Sequence, residues 1–246
     1  MSGAEPGVPG RAGASGAEPG VPGRGGPSGP EPAVLIMARA PRRGEVRRAL
    51  EPLLGQDGCV ALQSALISQA ASWARSVAPT AVHVAHDPPD GGRELRPLVG
   101  DAAAMFPQNG DGIAARLADA AARVFARKEG PLLIVWPDLP LLRPEHASGA
   151  LDDLASGCDA VLGPVIDGGL YLLAIARPLP KLFALPEQAW RSPDVMLLGL
   201  AAARDASLEI GILRGERALH RPADVRAVLA DPLLPGDLEP LLRRAA

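Results

Sequence analysis

Cysteine is almost missing from this 246-residue chain. Cys59 and Cys158 stand alone, at a spacing that fits neither a zinc finger nor a Cys-x-x-Cys redox pair, so both are expected as buried thiols. Excess charge is missing too: 25 basic against 28 acidic residues leave a formal net charge of -3, which gives no broad pull toward nucleic acid. Long apolar runs are absent, and no membrane span is expected. Met1-Ser2-Gly3-Ala4-Glu5 leads into no apolar signal segment, which makes a soluble, cytoplasmic protein the expectation. The chain also lacks a Walker A loop, a dinucleotide-binding glycine pattern and a G-x-S-x-G nucleophile turn. His83 and His86 have no Cys or Asp partner at zinc-ligand spacing.

What the chain has in quantity is glycine and proline, concentrated at its start. Residues 3–15 recur almost unchanged as residues 16–28, a thirteen-residue period that breaks the every-third-glycine phase a collagen helix needs. With no apolar cluster to offset the entropy of ordering, residues 1–31 are expected to be a disordered leader. One domain is expected over residues 32–232, followed by a helical tail over 233–246.

Within that domain short apolar runs alternate with helical periodicity. Strands are expected at Ala33 to Ala38, Ala81 to Ala85, Leu132 to Val135, Ala160 to Gly163, Tyr171 to Ile175 and Leu208 to Leu213. Helices are expected from Val46 to Leu54, ended by Gly55, then from about Cys59 to Val77, with further ones at 113–125, 145–155, 193–203 and 223–230. Apolar strands between helices imply a single three-layer α/β/α domain with a mostly parallel sheet, whose ligands gather at the carboxyl ends of the strands.

Two acidic junctions fall at such ends. Asp138 follows Leu133-Ile134-Val135-Trp136-Pro137, and a carboxylate there suits Mg²⁺ or Mn²⁺ held against a diphosphate; an aspartate serving only a turn or helix cap fits the same place. Asp167-Gly168-Gly169 lies between two strands, with Asp167 able to bind or deprotonate an acceptor hydroxyl and the glycines able to admit a ligand close to the backbone. A tight turn explains those residues equally. Arg39, Arg42, Arg43, Arg47 and Arg48 crowd around Gly44 after the first strand, where Arg39, Arg43 and Arg47 with the Gly44 loop are expected to hold phosphate unless they are simply a solvated face. Asp111, in the polar loop Asn109-Gly110-Asp111-Gly112, is either a cleft residue or a helix cap. Trp190 is either an acceptor-side lip or a plug at the core edge.

These segments, Met37 to Leu50, Val135 to Leu141 and Leu162 to Leu173, resemble a bacterial family of GT-A-fold, glycosyltransferase-like proteins of uncharacterised activity, distantly related to nucleotidylyltransferases. The resemblance reaches on through Phe183 to Pro193 and Arg221 to Val225. It implies a GT-A-like nucleotide-diphospho-sugar transferase fold, a nucleotide-linked small-molecule partner and a divalent metal cofactor. The chain departs from the family pattern at Ala49, where an arginine is usual, at Trp136-Pro137, where small residues are usual, and at Ala218-Leu219-His220, where an acidic pair is usual. The expected function is glycosyl transfer from a nucleotide sugar, with nucleotidyl transfer or a catalytically degenerate binding protein as alternatives.

Overall fold

The computed structural model describes Met1, Gly3, residues 30–190 and residues 192–243. Most of the Gly/Pro-rich leader lies outside the described residues, as do the last three residues of the expected tail. Strand β1 (Ala33–Arg39) forms from six consecutive apolar residues, all buried, a pattern that suits a strand covered on both faces. The chain continues as α1 (Glu51–Val77), β2 (Val82–Asp87), α2 (Gly92–Val99), β3 (Ala104–Pro107), α3 (Gly112–Phe125), β4 (Leu132–Val135), α4 (Pro144–Ala155) and β5 (Ala160–Pro164). It then forms β6 (Leu170–Ile175), α5 (Pro180–Phe183), α6 (Glu187–Trp190), α7 (Val195–Asp205), β7 (Ile210–Ile212), α8 (Pro222–Leu229) and α9 (Glu239–Arg243).

The seven strands make one sheet in the order β3-β2-β1-β4-β6-β5-β7. β1 pairs parallel with β2 and β4, β2 with β3, and β5 with β7, whereas β6 runs antiparallel to both β4 and β5. The expected mostly parallel α/β sheet is the observed one. The reversal of β6 is what allows β5 and β6 to be joined by a tight turn while β5 still points the same way as β4. Helices α1, α2 and α4 pack together, and α3 packs against α5 and α6, giving two helical layers that share the sheet.

Four elements escaped the sequence reading: α2, β3 and the one-turn helices α5 and α6. Gly91-Gly92 and Pro97 disguise α2, and β3 is a four-residue edge strand with only Phe106 buried. In α1 the helical stretch is broken once, at Gly55, which adopts φ 66° and ψ 171°. A second, smaller core joins Leu62 and Leu66 of α1 to Leu219, Val225, Leu238 and Leu242, so the described part of the tail is packed on α1. Cys59 is buried within that cluster and Cys158 is half-buried; both are free thiols. No helix of the described residues is long and apolar enough to cross a membrane.

Candidate active site

Four segments meet beyond the carboxyl ends of the central strands: the loop after β1, the loop after β4, the β5–β6 turn, and the run from Leu213 into α8. Arg47 ties them together. Its backbone is left-handed, φ 51°, and its side chain is only 7% exposed. Nε donates to Gln63 Oε1 at 2.7 Å and Nη1 to the Leu219 carbonyl at 3.1 Å. Nη2 donates to the Pro137 carbonyl at 2.6 Å and to Asp138 Oδ1 at 2.7 Å. Gln63 in turn donates to the Arg39 carbonyl at 3.1 Å, and Leu219 N–H to the Asp138 carbonyl at 3.0 Å. A guanidinium with its planar fork of donors is suited to such a multi-segment junction, and a lysine is not.

His220 lies between the two acidic junctions. Nδ1 is 2.8 Å from Asp167 Oδ2, and Nε2 is 3.7 Å from Asp138 Oδ2. A carboxylate facing each ring nitrogen favours a proton on both, the imidazolium form. The Asp138 carboxylate first, and that of Asp167 with it, raise the His220 pKa to about 9 against the opposing effect of burial. For Asp138, burial acts upward, but the Arg47 charge and then His220 outweigh it and hold the carboxyl at about 2. The result is an alternating chain of charge: Arg47, Asp138, His220, Asp167. Asp167 Oδ1 takes no hydrogen bond from any described residue.

The supports come from neighbouring segments. Asp224, buried at the start of α8, accepts the backbone N–H of His220 at 3.2 Å and of Arg221 at 2.8 Å, and pairs with Arg217 at 3.0 Å. That fixes the backbone from which the imidazole projects. Glu216 binds the β5–β6 turn through its backbone, accepting from Ile166 N–H and donating to the Pro164 carbonyl. Its carboxylate meets His146 Nε2 at 3.2 Å, while His146 Nδ1 accepts from the Arg143 N–H.

A cavity of about 310 Å³ opens beside Arg47, Asp138 and His220, with Arg39, Glu45 and Arg48 on its other walls. A smaller one, about 190 Å³, lies between Arg39, Asp87, Gln108, Arg116 and Trp136. Trp136 thus stands in the cleft wall, where its bulk narrows the space.

The two expected carboxylates are brought together, joined through His220. Four of the five N–H donors of Arg47 are committed to protein acceptors, although the residue also lines the larger cavity. Arg43 is exposed and pairs with exposed Asp57 at 3.2 Å. Arg39 pairs with Asp87 at 2.8 Å, although it still lines both cavities. Gly44, at φ 72°, lets the loop turn. Gly168, at φ 102°, leaves room for the chain itself: a Cβ there would collide with the Pro193 carbonyl. A Cβ on Gly169 would press on Val165. Asp111 holds the exposed N-cap position of α3 without a side-chain cap bond; Glu187 of α6 accepts the Ile113 N–H at 2.7 Å instead. Trp190 is a core plug, packed among Leu162, Leu173, Leu182 and Val195.

His220 and Arg48 are the residues the sequence reading left out of the site. Nothing local to His220 reveals a partner fifty-three positions earlier. Of the five clustered arginines, Arg48 is the one without a carboxylate partner among the described residues; the others meet Asp87, Glu94, Asp57 and Asp138.

Asp138 Oδ1 is bonded to Arg47, its Oδ2 lies 3.7 Å from His220 Nε2, and Asp167 keeps Oδ1 open on the other side of the ring. Among the described residues no three His, Cys, Asp or Glu side chains are arranged to hold a metal.

Residues 69–187 match the family described as "Uncharacterized protein conserved in bacteria (DUF2064)". That segment, just under half of the chain, is similar to the family. The DUF2064 segment runs from α1 to the first residue of α6 and contains both Asp138 and Asp167. No curated protein matches the chain by sequence. Among solved structures, a "putative nucleotide-diphospho-sugar transferase" of Desulfovibrio desulfuricans G20 superposes with a TM-score of 0.77 at 23% identity, covering 87% of this chain and 95% of that one. A cytidylyltransferase of Leptospira borgpetersenii gives 0.53 at 13% identity, covering 88% and 94%. A CMP:2-keto-3-deoxy-manno-octonic acid synthetase complexed with CTP gives 0.51 at 15% identity, covering 80% and 96%. The fold is therefore the GT-A-like, nucleotide-diphospho-sugar transferase fold expected from the sequence.

Proposed function

We propose that this protein transfers a glycosyl group from a nucleotide sugar to a hydroxyl-bearing acceptor in the cytoplasm. The observation that carries this reading is the Asp138–His220–Asp167 array beside a cation-lined cavity at the strand ends. Such cavities hold ligands in open α/β sheets, and this fold is shared with the Desulfovibrio protein named above. Arg48 and Arg39 meet the diphosphate. Asp167 Oδ1, left open by His220, takes the acceptor proton as the acceptor oxygen bonds to the anomeric carbon. The bond from that carbon to the β-phosphate oxygen breaks, and the nucleoside diphosphate leaves with the electron pair. His220 holds Asp167 ionised and oriented for this step. The expected Mg²⁺ or Mn²⁺ would be held by Asp138 and would supply positive charge to the diphosphate.

Nucleotidyl transfer is a second reading, favoured by the likeness to a synthetase complexed with CTP. In that case an incoming phosphate attacks the α-phosphoryl group of a triphosphate and pyrophosphate leaves. A binding protein without turnover is a third, favoured by the neutralisation of Asp138 within the protein. Thermal shifts with UDP-, GDP-, CDP- and ADP-linked sugars identify the donor, because a ligand that binds only the folded state raises its stability. Nucleoside diphosphate release with an acceptor supports glycosyl transfer. Pyrophosphate release from a triphosphate supports the second reading, and stabilisation without either product the third.

A further inference from the structure

We propose that the pocket between α2 and the edge strand β3 is a second anion site, shaped for a phosphate monoester and separate from the cleft described above. The proposal goes beyond the glycosyl-transfer reading and does not depend on it.

Successive residues of a strand face opposite sides of the sheet. At the end of β2, Asp87 therefore lines the smaller cleft cavity, while His86 lines a pocket of about 510 Å³ with Gly92, Arg93, Arg96, Pro97 and Met105. This pocket shares no lining residue with either cleft cavity. His86 is only 6% exposed, yet one end of its ring is open. Nδ1 lies 3.1 Å from the Pro88 carbonyl, and a carbonyl only accepts, so Nδ1 carries a proton and donates it. Nε2 has no hydrogen-bond partner among the described residues and faces the first turn of α2, where a Cβ on Gly92 would stand 3.2 Å from it. The glycine keeps that space open.

The pocket wall supplies donors. The backbone N–H groups of Gly92 and Arg93 begin α2 and have no acceptor among the described residues, and the first turn of a helix receives anions. Arg96 is held in place by Nη1, which donates to the Ala103 carbonyl at 3.0 Å, and this leaves Nε and Nη2 as a two-donor edge for an oxyanion. Arg93 is exposed and has no partner among the described residues. No carboxylate lines the pocket; Arg42 holds Asp90 at 3.1 Å and Glu94 at 2.9 Å.

A phosphate monoester answers each of these groups. Its charged oxygens suit the arginines and the helix amides, and its singly protonated form brings a P–OH to the lone pair of Nε2. A protonated Nε2 would donate to a P–O oxygen instead. Pro97 and Met105 offer the ester group an apolar wall, which free phosphate does not use.

Backbone amide NMR of the full-length protein reads the site directly, with inorganic phosphate and glycerol 3-phosphate as probes. Both should shift the amides of residues 92 and 93 saturably, the ester with a Kd of about 1 mM or tighter and below that of free phosphate. Gly92→Ala puts a methyl against the His86 ring and should weaken both probes by about tenfold. Arg93→Ala should do the same, and as a change to an exposed side chain it keeps the test decisive if the glycine variant does not fold. Arg48→Ala, in the cleft, should leave the shifts at these two amides unchanged. An ester that binds no better than free phosphate overturns the monoester assignment. Absence of saturable shifts at these amides, or shifts that survive Arg93→Ala at full strength, overturns the site itself.

Discussion

His220 donates its Nδ1–H to Asp167 across 2.8 Å, linking the approach to α8 with the β5–β6 turn. His220→Gln removes the positive charge while keeping a polar side chain, and leaves Asp138 and Asp167 without the cation between them. With the imidazole about one third exposed, solvent screening limits the expected loss to about 1–2 kcal/mol, read as a lower urea midpoint at unchanged slope. Turnover should fall by about a hundredfold or more, since Asp167 loses its orienting partner.

The same pair sets a pH dependence. The folded pKa of His220 is raised from 6.5 to about 9, so its stabilising contribution is complete below about pH 6.5 and is lost as pH rises through 9. Asp138 is lowered from 3.8 to about 2, so its contribution is complete above 3.8 and is lost as pH falls through 2. Thermal unfolding followed from pH 5 to 10 should show the wild type's advantage over His220→Gln shrinking above about pH 6.5. An advantage that stays constant to pH 10 would contradict the assignment of the imidazolium.

Arg47→Lys tests whether charge or shape matters at the junction. A lysine restores one positive charge but cannot reach Gln63, Pro137, Leu219 and Asp138 together. Equilibrium unfolding should show a loss of about 2–4 kcal/mol, with Arg47→Ala at the upper end because Asp138 is left without its main partner.

Arg48→Ala and Arg43→Ala form a contrast. Both residues are charged and lie in the same loop, yet only Arg48 lines the cavity. Each variant should unfold within about 0.5 kcal/mol of the wild type. Calorimetric titration with the nucleotide donor should weaken by about tenfold for Arg48→Ala and stay unchanged for Arg43→Ala.

Gly168→Ala should destabilise the protein by about 2 kcal/mol or more, because φ 102° is strained for alanine and the new Cβ meets the Pro193 carbonyl. A melting temperature equal to that of the wild type would show that the turn relaxes freely.

The sheet was legible where burial on both faces leaves an unbroken apolar run: β1 and β4 are read directly from Ala33 to Ala38 and Leu132 to Val135. Gly55 was legible as a break because a left-handed backbone favours glycine. β3 was not, since an edge strand of Ala-Met-Phe-Pro buries too little to show a pattern. In the site, Asp138 and Asp167 could be read from their places after strands. The partners of the arginines could not: Asp57, Asp87, Glu94 and Asp138 are supplied by other elements, and a run of like charges says nothing about what the fold brings opposite each one. His220 was hidden for the same reason.

The reversed strand β6 has a further consequence. It lies between β4 and β5 in the sheet, so the turn that carries Asp167 stands one to two strand spacings, roughly 5–10 Å, across from the loop that carries Asp138. Backbone hydrogen bonding sets that separation, and rotation of long side chains does not. The gap between the two carboxylates behaves as a gauge of fixed width: a compound that spans it must match the lattice of the sheet, and the evolution of a new ligand would proceed by changing the loops around the gauge while its span stays put.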